Sequence, residues 1–427
     1  MTVIRMAPLA LLSLLAQAEV HSFTLREAVE LALQHNPDVV LSRLDERKAK
    51  SEVEIARDPF VTRIVAGSGL AFNNGFPLSI EGAAPSIFQV QASQFLLNRP
   101  QTWAVEQARE AVRGAEIGTA AKQDEAVYRV ATLYLEAERA AREAAVARKQ
   151  ADNLEHVTAA VRARVEAGRE LPLSAKRAAF DAARARQRVL ALETAQSGAE
   201  RSLAYALGLE GDALARPAAE QRALPRLPDS EEAAVSRAVE SNKDLERIES
   251  QLRAEMYGIR SQKATRLPRI DLIAKYAQLA RFNNFEDFFR TFQRHNYLLG
   301  MSFQVPLPMG PADRAYASQQ EINATRLRVE RNSLRHRVSA ETRRQYRRVI
   351  EAEAARDVVR LDLEVAREEV AVLLARLEEG RVSSQDVEHA RFSENEKWLA
   401  YYGTQYTVEQ ARYALLRQTG ELVAALR

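Results

Sequence analysis

Cysteine is absent from the 427 residues, which excludes disulfides, zinc fingers, iron–sulfur clusters, thiol catalysis and a lipid-modified N-terminal cysteine. Glycine (16) and proline (14) are sparse for this length, so helix-breaking positions are few and the elements are long. Catalytic signatures are missing too. The six histidines, His21, His35, His156, His295, His336 and His389, are scattered, and there is no His-Glu-x-x-His, Gly-x-Ser-x-Gly, phosphate-loop or dinucleotide glycine motif. The expectation is a protein that is not an enzyme, with no cofactor and no metal site. Neither sign of charge dominates: 61 basic and 58 acidic residues are interspersed, so a pI near 9.0 implies no nucleic-acid footprint. No run approaches the roughly 20 apolar residues of a transmembrane helix.

The first residues carry one charge, Arg5, then an apolar run from Ala7 to Ala16 and a small-x-small ending at Ala16 and Ala18. This reads as a secretory signal peptide over 1–18, cleaved near Ala18; a buried N-terminal helix is the alternative.

What is abundant is Ala, Glu, Arg and Leu, the balance of long helices and coiled coils. Two matching stretches, Arg164-Val-Glu-Ala-Gly-Arg169 and Arg376-Leu-Glu-Glu-Gly-Arg381, lie 212 residues apart, and each is followed 40 residues on by another glycine, Gly208 and Gly420. They read as the tips of a duplicated helical hairpin. Before the first tip, Val127, Val130, Tyr134, Ala137, Ala141 and Ala144 step by three and four, and Ala126, Leu133, Ala140, Ala147, Leu154 and Val161 step by seven. Two apolar rows predict a helix with more than one neighbour, on the order of 100 Å long at 1.5 Å per residue. A return helix from about Leu173 to Leu207 and a proline-spaced linker, from Arg216-Pro217 to Leu227-Pro228, follow. In the second half Ala352, Val359, Leu363, Ala366, Val370, Leu373 and Leu377 form the equivalent seam, broken by Arg356.

Each half opens on a helix-start signal, Thr24 with Glu27 and Ser230 with Ala233. The first helix is expected to run past Asn36-Pro37 towards Pro59, and the second through Asn242 to Pro268. Period-two stretches predict strands at about 63–72, 87–95, 270–279 and 297–305. In the last of these Tyr297, Leu299, Met301, Phe303 and Val305 share one apolar face, with Gly300, Ser302 and Gln304 on the other. Phe72-Asn-Asn74 and Phe282-Asn-Asn284, 210 residues apart, extend the repeat. Phe282, Phe285, Phe288, Phe289 and Phe292, with Tyr297, suit a membrane–water interface; a satellite core under a long loop is the other reading. The expected organisation is 1–18 signal peptide, 19–225 first repeat and 226–427 second repeat.

Four amphipathic strands are too few for a transmembrane barrel, since the smallest use about eight, and exposed strand edges are not tolerated in lipid. Copies must pool strands, and three copies would give twelve.

At this point the chain resembles the TolC-like outer-membrane efflux proteins, over about residues 23–427. The resemblance rests on Thr24-Leu-x-Glu-Ala28 with Asn36-Pro37, Ser93-Gln-Phe-Leu-Leu97, Phe303-Gln-Val-Pro-Leu307, the two tips, Leu207-Gly208 and Thr419-Gly420. It implies a mainly α fold with a membrane β-barrel part: duplicated long α-hairpins and four strands per chain, forming a homotrimeric 12-stranded barrel in the outer membrane of a Gram-negative bacterium and a periplasmic α-helical barrel. It implies an exit duct docking to a periplasmic adaptor and an inner-membrane pump (RND, ABC or MFS type), with no cofactor. Residues matching the family's periplasmic gate are Asp386 and His389, where His389 departs from the acidic pattern. Those matching the adaptor-docking tips are Gly168, Arg169, Glu170 and Leu171, and Gly380, Arg381, Val382 and Ser383. The alternative class is a periplasmic coiled-coil adaptor or structural protein without a pore; adaptors, however, carry one hairpin with lipoyl-like and barrel domains, not two equivalent hairpins.

Overall fold

The computed structural model describes residues 20–68, 86–220, 222–279, 295–307 and 311–427. The signal segment 1–18, the Phe72-Asn-Asn74 and Phe282-Asn-Asn284 motifs and the cluster Phe282 to Phe292 lie outside the described residues. The chain divides into two compact units: the described part of Met1–Val40 with Lys122–Ser241 and Val338–Arg427, and Leu41–Ala121 with Asn242–Arg337.

In the first unit, strand β1 (Val20–Phe23) leads into helix α1 (Leu25–His35) through a reciprocal cap. Thr24 Oγ1 accepts from the Glu27 amide at 3.3 Å, and Glu27 Oε2 accepts from the Thr24 amide at 2.8 Å. The helix does not run past Asn36 as its periodicity suggests. Asn36 adopts φ −58°, ψ 127°, and Pro37 opens a new helix, α2 (Pro37–Arg57). The proline disfavours helical geometry in the residue before it, and Asn36 stabilises the break. Its Oδ1 accepts from the Asp38 amide at 3.0 Å and its Nδ2 donates to the Ala206 carbonyl at 2.8 Å. The second half breaks at the equivalent asparagine: Asn242 caps the Leu245 amide at 2.9 Å between α5 (Glu231–Ser241) and α6 (Lys243–Ala264).

Two hairpins of nearly equal size follow the pattern of the sequence. Helix α3 (Arg99–Glu166) has 68 residues and returns as α4 (Pro172–Leu207) with 36. Helix α7 (Ala312–Glu378) has 67 and returns as α8 (Ser384–Gln418) with 35, followed by α9 (Leu422–Leu426). The heptad positions Val127, Val130, Tyr134, Ala137 and Ala144 are fully buried. Of these, Val127, Val130, Tyr134 and Ala137 share a core with Val29 and Ala32 of α1, Leu203 and Leu207 of α4 and Leu416 of α8. A second cluster joins Ala234 of α5 to Val349 and Ala352 of α7 and Val408, Ala411 and Leu415 of α8. Alanine at so many contacts lets helix axes approach closely, which a leucine seam would prevent.

Both return helices end on a left-handed glycine that receives the end of a short helix. A Cβ on Gly208 (φ 76°) would lie 2.5 Å from the His35 carbonyl oxygen; one on Gly420 (φ 71°) would lie 2.8 Å from Ser241 Oγ. Beyond Gly208, β4 (Leu214–Pro217) pairs in parallel with β1.

The second unit holds a four-stranded antiparallel sheet in the order β2 (Arg63–Gly67), β3 (Ser86–Leu97), β5 (Arg269–Leu279), β6 (His295–Gln304). The pairings Arg63 with Ser93, Leu97 with Ile270 and Arg269 with Gln304 bring the helix-linked ends of all four strands to one end of the sheet. Among the described residues, β2 and β6 each pair on one side only. No helix among the described residues is long and apolar enough to cross a membrane.

Candidate channel wall and hairpin tips

Register sorts the sheet residues into two faces, because directly paired residues point to the same side and neighbours along a strand alternate. On one face Tyr297, Leu299, Met301 and Phe303 of β6, between 66% and 80% exposed, lie opposite Tyr276, Ala274, Leu272 and Ile270 of β5. The rows continue into Val90 and Ala92 of β3, then Ala66 and Ile64 of β2. The rings of Tyr276 and Tyr297 lie 5.1 Å apart, and Phe88 meets Tyr276 edge-on at 6.4 Å. The opposite face is mixed: it carries Gln89, Gln91, Ser93 and Phe95 of β3, Arg269, Asp271, Ile273 and Lys275 of β5, Arg63 and Val65 of β2 and Asn296, Leu298, Ser302 and Gln304 of β6, and it holds every Lys, Arg and Asp of the four described strands. Arg269 lies 3.9 Å from Asp271 and donates to Gln304. Lys275 and Arg63 form no ion pair or hydrogen bond among the described residues.

At the hairpin ends, the two tips are built alike. Gly168 and Gly380 both have φ 71°. The Gly168 amide donates to the Val165 carbonyl and the Arg169 amide to the Arg164 carbonyl, at 3.0 and 2.8 Å. The Gly380 amide donates to Leu377 and the Arg381 amide to Arg376, both at 2.9 Å. This is the Schellman closure, which satisfies the last helical carbonyls and needs a left-handed residue. A Cβ at either glycine would meet nothing within 4 Å, so the turns are constrained by conformation and not by crowding. The tips differ in how the return helix starts. Leu171, exposed, precedes α4 without a side-chain cap and with Pro172 at its first position. Ser383 caps α8 in a reciprocal box with Asp386.

That box gives Asp386 a structural task. Its Oδ2 accepts from the Ser383 amide at 3.0 Å and from Ser383 Oγ at 2.7 Å, while its own amide donates back to Ser383 Oγ at 3.3 Å. The Ser383 hydrogen bonds, with a smaller contribution from the charge of His389, hold its carboxyl below the usual aspartate range. Asp386 is therefore charged at neutral pH, and it is exposed. His389, one turn on, is exposed as well and lines a cleft of about 660 Å³ bordered by Leu154, Val157, Arg177, Phe180 and Phe392. Of the remaining expected site residues, Tyr297 lies on the apolar sheet face, and Arg169, Glu170, Arg381 and Val382 lie in the tips.

One cluster has no local signature in the sequence. Arg222, in the proline-spaced linker, ion-pairs with Glu138 of α3, with Glu220 at 3.3 Å and with Glu409 of α8 at 3.5 Å. Its guanidinium lies 5.2 Å from the centre of the Tyr134 ring. Tyr134 donates to the Phe23 carbonyl at 3.1 Å, and Glu220 accepts from the Leu25 amide at 3.0 Å. Burial raises the Glu409 carboxyl above its usual range, against the opposing charge of Arg222 and with a further rise from Glu138; burial raises the Tyr413 phenol beside it. One cation thus joins both hairpins, the linker and the start of α1.

The chain matches the family described as outer membrane efflux protein over residues 28–209 and 234–421. No curated protein sequence matches it. A membrane protein from Pseudomonas aeruginosa has a similar fold, with a TM-score of 0.76, 20% identity and 93% of each chain covered. The open state of the MtrE outer membrane channel of Neisseria gonorrhoeae gives 0.75 at 16% identity, covering 93% of this chain and 89% of that one. The outer membrane protein VceC of Vibrio cholerae gives 0.72 at 16%, covering 93% and 96%. Since the family match spans both halves of the sequence, with the break falling in the linker between them, the chain belongs to the outer membrane efflux protein family and is an outer-membrane efflux channel subunit.

Proposed function

We propose that three copies close one 12-stranded barrel in the outer membrane and that the duct is passive, serving a periplasmic adaptor and an inner-membrane pump of the RND, ABC or MFS type. The observation that carries this is the sheet: one apolar face, one face that bears the charged residues and, among the described residues, two edges without partners. Unpaired edges cannot stand in lipid, so the strands must pair between copies, and an antiparallel order makes the join of β6 to the next β2 antiparallel as well. Repeats 19–225 and 226–427 would each supply two strands and one hairpin. The apolar face, including Tyr297, meets lipid, and the membrane-interface role extends to Phe282, Phe285, Phe288, Phe289 and Phe292.

In this reading the tips Gly168 to Leu171 and Gly380 to Ser383 dock the adaptor, and Asp386 with His389 rings the periplasmic entrance. An exposed Asp386 held in its ionised form supports a cation-favouring ring, since like charges about an axis attract counterions. The variant Asp386→Asn keeps a group able to accept from the Ser383 amide. Its trimers should conduct in planar bilayers with a lowered cation-to-anion permeability ratio; an unchanged ratio would remove Asp386 from the pathway.

A further inference from the structure

The polar face of the sheet is charged unevenly. Arg63, Lys275 and Arg269 are cationic, and Asp271, beside Arg269, is the one carboxylate on that face among the described residues. On the apolar face, His295 at the end of β6 is the one residue of an ionisable, basic type among the described residues. Sidedness in a membrane follows from cost: a lysine or arginine facing the bilayer midplane costs roughly 2–4 kcal/mol, whereas the wet interior of a barrel solvates it. Lys275 sits in the middle of β5, four residues from the nearest end of that strand, where no snorkelling to an interface is needed if it faces water.

We infer that Lys275 and Arg63 form a cationic inner collar in the barrel and make this part of the pathway favour anionic solutes. The inference rests on the trimeric-barrel reading above. Twelve strands spaced about 4.8 Å apart and tilted about 40° enclose a barrel roughly 24 Å across between backbones. Long side chains pointing inward bring their charges to within about a Debye length of the axis, which is roughly 8 Å at physiological salt, so the field is not fully screened in the path of a solute. Two cations in each chain that have no ion pair among the described residues become six around the wall. Arg269 contributes less, because Asp271 lies beside it. The collar belongs to the sheet and is separable from Asp386, so a substitution in one leaves the other in place.

The absence of native cysteine supplies a clean probe. In purified full-length trimers, Lys275→Cys should react with water-soluble, membrane-impermeant thiol reagents, and faster with an anionic than with a cationic one while Arg63 is present. Leu299→Cys, on the apolar face, should react only with a lipid-soluble maleimide. Lys275→Gln with Arg63→Gln should lower the anion-to-cation permeability ratio by roughly twofold or more in dilute KCl, and the change should shrink in 1 M salt. Conducting variants with an unchanged ratio, or Lys275→Cys labelled from the lipid phase, would overturn the collar. An unmodified chain that forms no conducting oligomer would instead remove the channel reading beneath it, and the inference with it.

Discussion

A guanidinium surrounded by three carboxylates is compensated only while all partners keep their places, and Arg222 is in that position. Its side chain is 17% exposed, and Glu138 beside it is 12% exposed. Removing the cation would leave Glu138 and Glu409 facing each other with little solvent, a loss of about 3–5 kcal/mol for a broken buried pair. Arg222→Met should therefore lower the unfolding midpoint strongly at neutral pH. The sign of the pH dependence follows from Glu409, whose folded-state pKa is raised by burial. Such a group binds its proton more tightly when folded, so its contribution is present below the unfolded pKa and lost as pH rises through the folded one. Without Arg222 the upward shift grows, so the stability gap between variant and parent should narrow as pH falls below neutrality. A gap that stays constant or widens in acid would contradict this account of the cluster. Measuring the difference between the two proteins cancels the capped carboxylates, Glu27 and Asp386, whose lowered pKa values act in the opposite direction.

At the scale of elements, the two tips share one backbone closure but differ in their caps, and open space surrounds both glycines. Gly168→Glu and Gly380→Glu carry a conformational penalty of about 1–2 kcal/mol for a left-handed non-glycine residue, too little to unfold hairpins with buried seams. If the tips dock an adaptor, each variant should keep its oligomer and membrane insertion while export of the cognate pump's substrate is lost. Retained efflux, or loss of the oligomer, would count against docking there. The hairpins were legible in the sequence because heptad positions such as Val127, Val130 and Tyr134 repeat a physical requirement every turn, and because a Schellman turn demands glycine. The strands were legible through their period of two. The break at Asn36 had a local signal in Pro37, but apolar periodicity continues across it, and one contact that holds it, to the Ala206 carbonyl, is 170 residues away. The Arg222 cluster escaped because its members are spread over α3, the linker and α8, and nothing local marks them. Asp386 shows a different limit, because a serine three residues before an aspartate is a helix cap whatever else the carboxylate does.

For the whole molecule, the sheet poses the question that assembly must answer. A four-stranded sheet with one apolar face and, among the described residues, two bare edges cannot persist alone in a bilayer, where each unpaired backbone group costs several kcal/mol. Closure by three copies satisfies every edge, whereas two copies give eight strands with little room inside, and an open array would keep edges exposed. The most direct measurement is oxidative cross-linking in outer membranes of chains carrying one introduced cysteine on β2 and one on β6, placed by scanning along the two edge strands, with no native thiol to interfere. The account predicts a covalent ladder of monomer, dimer and trimer that stops at three, with the trimer dominant under full oxidation. A ladder that stops at two, or one that continues beyond three, would contradict it.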